Sequence, residues 1–472
     1  MPILDPNGRK FDTTVPLLVI GAGACGCTAA LAASERGIEV MILERDSRPT
    51  GSTSLSGGQI PAAGTRLQKA AGVDDTPELL ADDLIKKARG QCDLDLARHI
   101  ARESAGTVDW LVERYHLPLS CITEFRYPGH SRPHMHASPS RFGAELLTVL
   151  LQAVEGAGVP IAASALVTDL YADRKSGRVA GVRITRRDGR TEDAGCDALI
   201  LACNGYGGSK EMLRKYIPEM VDVHYHGHAG NQGDAVQWGE ALGASVKDMG
   251  AFQGHGAVCT PHNIHLGWPS ITEGGFQVNQ HGKRFSNENE GYSEQALNVV
   301  RQPGHVAWTL WDERCQSVAK QMHSHAEAMA AGAIKRFDSI AAVAAFIGCG
   351  AGTLEATVRE VEGAAKGERP CPFGRDFTTK PALQPPYYAA KVMGALFHTQ
   401  GGLEVDQKAR VLRKDGTPLP NLFAGGGAAR GLSGPSDWGY LSGSGLLTAV
   451  NLGRLAGEAA AELVKARAPR SG

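Results

Sequence analysis

The chain lacks any apolar run approaching the ~18–20 residues that a membrane-spanning helix requires. It also lacks a charge imbalance. Forty-nine Lys and Arg against fifty Asp and Glu leave a formal charge of −1, and the basic residues are spread along the chain. Nucleic acid and anionic membrane surfaces are therefore not expected partners. Ten cysteines are present, but no Cys-x-x-Cys pair is. Zinc, iron–sulfur and disulfide frameworks are not expected, no metal is assigned, and reduced thiols point to a cytoplasmic protein. No haem or cluster motif offers a route for single electrons. The opening Met1–Thr14 is polar, with neither the apolar core of a signal peptide nor a twin arginine.

Glycine, by contrast, is abundant, with 59 residues among 472. At this length two or three domains are expected. The most informative glycines are Gly21, Gly23 and Gly26. They follow the apolar run Leu17–Ile20 and open an Ala-rich segment, Ala24 to Arg36. A second apolar run, Val40–Leu43, then ends on Glu44. Strand, Gly-x-Gly-x-x-Gly turn, helix, strand and a terminal acid in this order form a dinucleotide-binding unit. The helix N-terminus presents N–H groups to a pyrophosphate, and Glu44 is placed to accept from a ribose.

Further glycine-rich ends recur at 51–58, 203–208, 425–427 and 443–445. A ligand touched at so many places is large, which favours FAD over a nicotinamide nucleotide. Residues 162–184 alternate about a Lys175-Ser176-Gly177 turn and read as a β-meander. From about Ala235 strand-like and helical segments alternate, and Pro385-Pro386 reads as a boundary. The expected architecture is α/β. A Rossmann-like FAD-binding domain takes residues 1–234 and 385–472, with an inserted α+β cap domain at 235–384. The active site is expected between the two, where a cap excludes water.

The chain resembles the fumarate reductase and succinate dehydrogenase flavoprotein family, including its 3-ketosteroid dehydrogenase branch, over nearly its whole length. The resemblance rests on the N-terminal fingerprint, on Gly51–Gly58 and on Leu201-Ala202-Cys203-Asn204-Gly205-Tyr206-Gly207-Gly208. It continues through Asn231-Gln232-Gly233-Asp234, Arg284-Phe285-Ser286-Asn287-Glu288 and His398-Thr399-Gln400-Gly401-Gly402. It implies FAD contacts at Gly21, Gly23, Ala24, Gly26, Glu44, Arg45, Ser52, Thr53, Ser56, Gly57 and Gly58. It further implies Val167 at the adenine, and Ala202, Cys203, Asn204, Gly205 and Asp234 along the adenosine and pyrophosphate side. Gly426, Gly427, Ser444, Leu446 and Leu447 would approach the ring system. Relatives that bind FAD covalently place a histidine after the second strand. Here Gly51-Ser52-Thr53-Ser54 stands there, so non-covalent FAD is expected.

Fumarate reductases place a proton-donating arginine four residues after the Asn-Glu pair, and a second arginine before the last glycines. Here Tyr292 and Tyr440 stand at or next to those places. A phenol cannot grip a carboxylate as a guanidinium does, so a dicarboxylate substrate is disfavoured. The pattern is similar to the ketosteroid branch. That resemblance implies Tyr292 as the base, with Tyr440 and the Gly443 N–H holding a ketone oxygen. Tyr292 would need its pKa lowered from ~10. His398 is a catalytic candidate, and His255 and the Thr272-Glu273 pair are substrate-side candidates. The basic stretch 127–141, through Arg132 and Arg141, suggests a carboxylate on the substrate. The expected enzyme is a ketone desaturase acting on a small alicyclic ketone or oxo-acid such as 4-oxocyclohexanecarboxylate, or on a 3-oxosteroid. The alternatives are a flavin reductase of an unsaturated acid and a non-catalytic electron-transfer flavoprotein.

Overall fold

The computed structural model describes residues 3–467. The strand Thr13–Ile20 is buried over its last four residues and pairs in parallel with Val40–Leu43 on one side and Thr191–Leu201 on the other. These belong to a nine-stranded sheet. The expected meander is there: Leu166–Asp173, Arg178–Thr185 and Thr191–Leu201 run antiparallel in succession. Leu199–Leu201 also pairs in parallel with Leu422–Ala424, which brings the C-terminal part of the chain back onto the first sheet. Parallel strands buried on both faces need continuous apolar sequence, and Leu17–Ile20 and Ala198–Leu201 supply it.

Two helices close one face of this sheet. Ala24–Ser34 packs on the C-terminal helix Ser444–Arg467. The approach is close because the facing residues are small. A Cβ on Gly457 would lie 2.1 Å from the Ala29 carbonyl oxygen, and one on Gly26 would lie 1.8 Å from the Gly21 carbonyl oxygen. Side chains at either place are sterically excluded. The long helix Leu94–Tyr115 is capped by Asp93, whose carboxylate accepts from the Leu96 N–H at 3.0 Å.

A second, seven-stranded sheet forms the cap. Its central strand is Tyr387–Thr399, paired antiparallel with Phe252–Cys259 and with Val306–Asp312. This corrects the boundary expected at 385. Pro385-Pro386 is a turn within the cap, and thirteen residues beyond it still belong to the cap sheet. The pattern could not show this, because a strand after two prolines looks the same whichever sheet it joins. A small third sheet joins Ile60–Pro61, Met135–Ala137 and Ser120–Cys121, and anchors the basic 127–141 stretch. Among the described residues no helix is long and apolar enough to cross a membrane.

Candidate active site

One continuous cleft runs from the glycine turn, between the two sheets, to the cap. At its nucleotide end lie Gly21, Gly23, Ala24, Glu44, Arg45, Ser52, Thr53, Ser56, Gly57 and Val167, joined by Ala202, Cys203, Asn204 and Asp234. Gly426, Gly427 and Leu446 line it further along. Gly26, Gly58, Gly205, Ser444 and Leu447 do not line it. Gly26 packs helix on strand, and a Cβ on Gly205 would strike the Thr399 hydroxyl at 2.1 Å. Gly26 and Gly205 let the walls close, and FAD contact at these five is left as the resemblance implies.

The donor set fits FAD. Glu44, at the end of its strand, is buried and held by the N–H groups of Ala22 and Asp46, each at 2.9 Å. The Thr53 hydroxyl accepts from the Ala24 N–H at 3.0 Å and fixes the fingerprint helix to the loop after the second strand. Asp234 Oδ1 is buried with no partner among the described residues and faces the cleft. A buried acceptor is normally satisfied, and a hydroxyl-bearing nucleotide supplies donors. We expect acid denaturation to release all the flavin into the supernatant, because the 51–54 segment carries no histidine. Yellow protein in the washed precipitate would show a covalent bond, with the cleft histidines His226, His228, His255, His265 and His398 to examine.

At the other end the cleft brings Tyr292, Tyr440, Gly443, His398 and His255 together. Tyr292 opens the helix Tyr292–Val300. Its ring is 6.2 Å from that of Tyr440 and stacks on His255 at 5.1 Å. Burial pushes the Tyr292 phenol well above its ordinary value, and the Tyr440 and Tyr127 phenols push it further. The Ser442 hydroxyl facing it acts in the opposite sense. The lowered pKa expected of a base is thus not a property of this pocket, which desolvates the phenolate. Burial also pushes Tyr440 up to about 12. The Tyr440 oxygen accepts from the Gly445 N–H at 3.4 Å.

The histidines here are neutral. Burial lowers His398 to about 4, His265 to about 3, and His255 well below the ordinary range. The Gln400 amide lies 2.7 Å from His398 Nδ1, which leaves Nε2 as the donor toward the cleft. His255 likewise accepts from the Ala257 N–H at Nδ1, 3.1 Å away.

Arg141 lines the cleft, paired with Glu124 at 2.9 Å. Arg132 does not. It is exposed, and its guanidinium donates to the Asp74 and Ser131 carbonyls. The Thr272-Glu273 pair also lies outside, because Glu273 is drawn across the cap by Lys380 at 2.6 Å and by Arg314. These three are corrected from substrate-side to structural positions. Sequence reasoning missed Tyr127, His226, His265, Trp268 and Phe397, which line the same end. Phe397 precedes the His398 motif and His265 follows a turn, but neither spacing signals a cavity.

A nucleotide cleft capped by an aromatic chamber defines a flavin-dependent oxidoreductase. The chain belongs to the FAD binding domain family, whose model matches residues 17–446. It is 30% identical over 451 residues to "Probable fumarate reductase Ifc3" of Shewanella frigidimarina (strain NCIMB 400), covering 95% of this chain and 75% of that protein. The open conformation of a flavocytochrome c3 fumarate reductase superposes with a TM-score of 0.79 at 28% identity, covering 96% of this chain and 79% of the other. The fold is shared with the 3-ketosteroid-delta4-(5alpha)-dehydrogenase of Rhodococcus jostii RHA1, at a TM-score of 0.76 and 23% identity, covering 98% of this chain and 99% of that one. The protein is an FAD-binding oxidoreductase of the fumarate reductase family.

Proposed function

We propose that this oxidoreductase is a ketone desaturase, introducing a C=C bond α,β to the carbonyl of a cyclic ketone. The observation that carries the reading is the chamber itself. Its polar groups are the three phenols of Tyr127, Tyr292 and Tyr440, neutral imidazoles, and uncharged amides and hydroxyls, set among Trp268 and Phe397. Arg45 and Arg141 are the cations among the lining residues. The first is at the nucleotide end and the second is already paired. Two carboxylates would have no matching pair of guanidinium groups.

Bound FAD supplies the hydride acceptor. The chain supplies the rest. Tyr440 donates its hydrogen to the ketone oxygen, and His398 Nε2 offers a second donor. Both stabilise charge that develops on that oxygen as the α-proton leaves. Tyr292 takes that proton at its phenol oxygen as its own hydrogen passes to the Ser442 hydroxyl facing it, whose hydrogen leaves to solvent. Trp268, Phe397 and the stacked His255 hold the ring and exclude water. Anaerobic mixing with cyclic ketones tests this: the yellow flavin should bleach and an enone should form. No bleaching by any ketone, with fast reoxidation of reduced enzyme by an unsaturated acid, would overturn it.

A reductase of an unsaturated acid is the second reading. It is favoured by the names of the relatives and by the raised Tyr292, which is a proton donor as it stands. Arg141 separates substrates within either reading. If it leaves Glu124 for a substrate carboxylate, Arg141→Met should weaken an oxo-acid about tenfold to a hundredfold, since a hydrogen bond to a charged group contributes roughly 1.5–3 kcal/mol. Binding of the uncharged ketone with the same ring should barely change. Equal losses in Kd for both ligands would assign Arg141 to structure.

A further inference from the structure

The wall of the chamber holds one amide whose two ends are treated differently. Gln59 follows the Gly57-Gly58 pair and leads into the strand Ile60–Pro61. It is buried and lines the cleft. Its Nε2 donates to the Tyr127 phenol oxygen at 3.3 Å and meets the Met322 sulfur at 3.8 Å. A thioether sulfur can only accept, so this end of the amide is the nitrogen. The other end, Oε1, is buried with no partner among the described residues. Buried acceptors are normally satisfied, and leaving one bare costs free energy.

Three tyrosine rings give this amide its place. Tyr292 lies 6.2 Å from Tyr440 and 5.9 Å from Tyr127, ring centre to ring centre. A ligand ring with its carbonyl at Tyr440 and its α-hydrogen at Tyr292 carries a further substituent toward Tyr127 and Gln59. Burial pushes the Tyr127 phenol above its ordinary value, with Gln59 and Arg141 acting in the opposite sense, so the phenol keeps its hydrogen. Accepting from Gln59 does not use that hydrogen. The two side chains thus offer one donor and one acceptor to the same substituent. Met322 comes from the cap, where it precedes the helix His323–Ala330, while Gln59 and Tyr127 flank strands of the small third sheet. The subsite is built from both parts of the chain.

We propose that the substrate is a cyclic ketone carrying an uncharged hydroxyl group, which donates to Gln59 Oε1 and accepts from the Tyr127 phenol. The proposal rests on the reading of the chamber as a cyclic-ketone site. A hydroxyl fits because it has one hydrogen to give and lone pairs to accept with. An alkyl group in its place leaves both side chains bare. A carboxylate can only accept, so it sets an oxygen against Gln59 Oε1. Arg141, the cation beside Tyr127, is already held by Glu124 at 2.9 Å and by the Gln321 side chain at 3.4 Å. Discrimination of this kind comes from the buried polar groups that the wrong ligand leaves unpaired.

The test uses the full chain loaded with oxidised FAD and reads Kd from the change that a ligand makes in the flavin absorbance, so no turnover is needed. The probes are 4-(hydroxymethyl)cyclohexanone, 4-ethylcyclohexanone of the same size, and 4-oxocyclohexanecarboxylate. The hydroxymethyl ketone should bind roughly tenfold to a hundredfold more tightly than the ethyl ketone, the worth of two hydrogen bonds made away from water, and more tightly than the acid. Gln59→Met, which keeps the length of the side chain, should cut that ratio by about fivefold or more. A wild-type ratio within about twofold, below the worth of one such bond, would mean that water serves Gln59. Tighter binding of the acid would assign the subsite to a carboxylate. Lost FAD or a shifted ligand-free flavin spectrum in Gln59→Met would give the oxygen to the cofactor, and an unchanged ratio in that variant would make Gln59 structural. Each of these overturns the proposal. If Gln59→Met does not fold, the wild-type ratio and Tyr127→Phe, which removes the phenol donor, decide. Should no ketone bind, the desaturase reading fails, and the same two substituents on a cyclohexenecarboxylate carry the test. A ratio near one there, or no binding, overturns the subsite as well.

Discussion

Tyr292→Phe is expected to bind FAD normally and to lose turnover of the best ketone by roughly 10²–10⁴-fold, the range of a general acid–base group. The ring is what the fold needs. It stacks on His255 at 5.1 Å, meets Trp268 edge-on at 5.8 Å and contacts Tyr127 at 5.9 Å. Phenylalanine keeps all of these and removes the oxygen through which the α-proton passes. Burial holds that oxygen protonated, so removing it relieves a desolvated group and should not lower the melting temperature. The loss should appear in kcat more than in KM, because the missing contact is made as the α-proton moves. Stopped-flow bleaching of the flavin reads the step directly. A variant within about threefold of wild type, far below the general-base range, would take Tyr292 out of the mechanism.

The nucleotide half was legible because its signals are local. Five elements in a fixed order over thirty residues determine the turn, the helix and Glu44, and the sheet assembles around them as the pattern implies. The chamber was only partly legible. Tyr292, Tyr440 and His398 lie in motifs with fixed spacing, whereas His265 and Trp268 converge with Phe397 from two stretches of the cap far apart in sequence. Basic composition misled at 127–141. Arg132 and Arg141 are nine residues apart on either side of the strand Met135–Ala137, and only Arg141 lines the cleft, while Arg132 is exposed on the Asp74 and Ser131 carbonyls. The same stretch placed His130 and His134 in the interior, which charge counting reads as a solvated loop. The boundary at 385 failed for a related reason: strand pairing is non-local, and two prolines mark a turn without naming the sheet that follows.

The motif Arg284-Phe285-Ser286-Asn287-Glu288 takes its importance from packing, and Glu288→Ala should show how much. Glu288 is fully buried and held from two sides. Arg284 reaches it with both Nε and Nη2, at 2.9 and 2.8 Å, and Arg375 comes from a distant loop of the cap at 3.0 Å. Its Oε1 also fixes the strand Phe276–Val278, accepting from the Gln277 N–H at 3.2 Å. Both arginines hold its carboxyl below the usual range despite burial. This pair of contacts sets the start of the helix that carries Tyr292, four residues on. Truncating Glu288 leaves two guanidinium groups buried without their anion, and breaking such a buried pair costs about 3–5 kcal/mol. Thermal melting should therefore fall sharply, with the change reported by Trp268, Trp308 and Trp311 fluorescence in the cap. The sign with pH follows from the lowered carboxyl. Its contribution is present above the unfolded pKa of ~4.3 and lost as pH falls through the folded value. The gap between wild type and Glu288→Ala should therefore narrow in acid. FAD should still bind, since the nucleotide end lies in the other sheet, but turnover should drop with the misplaced Tyr292. A melting temperature within a degree of wild type at pH 7 would mean that the arginines find other partners and that the motif's ion pairs do not set the Tyr292 helix.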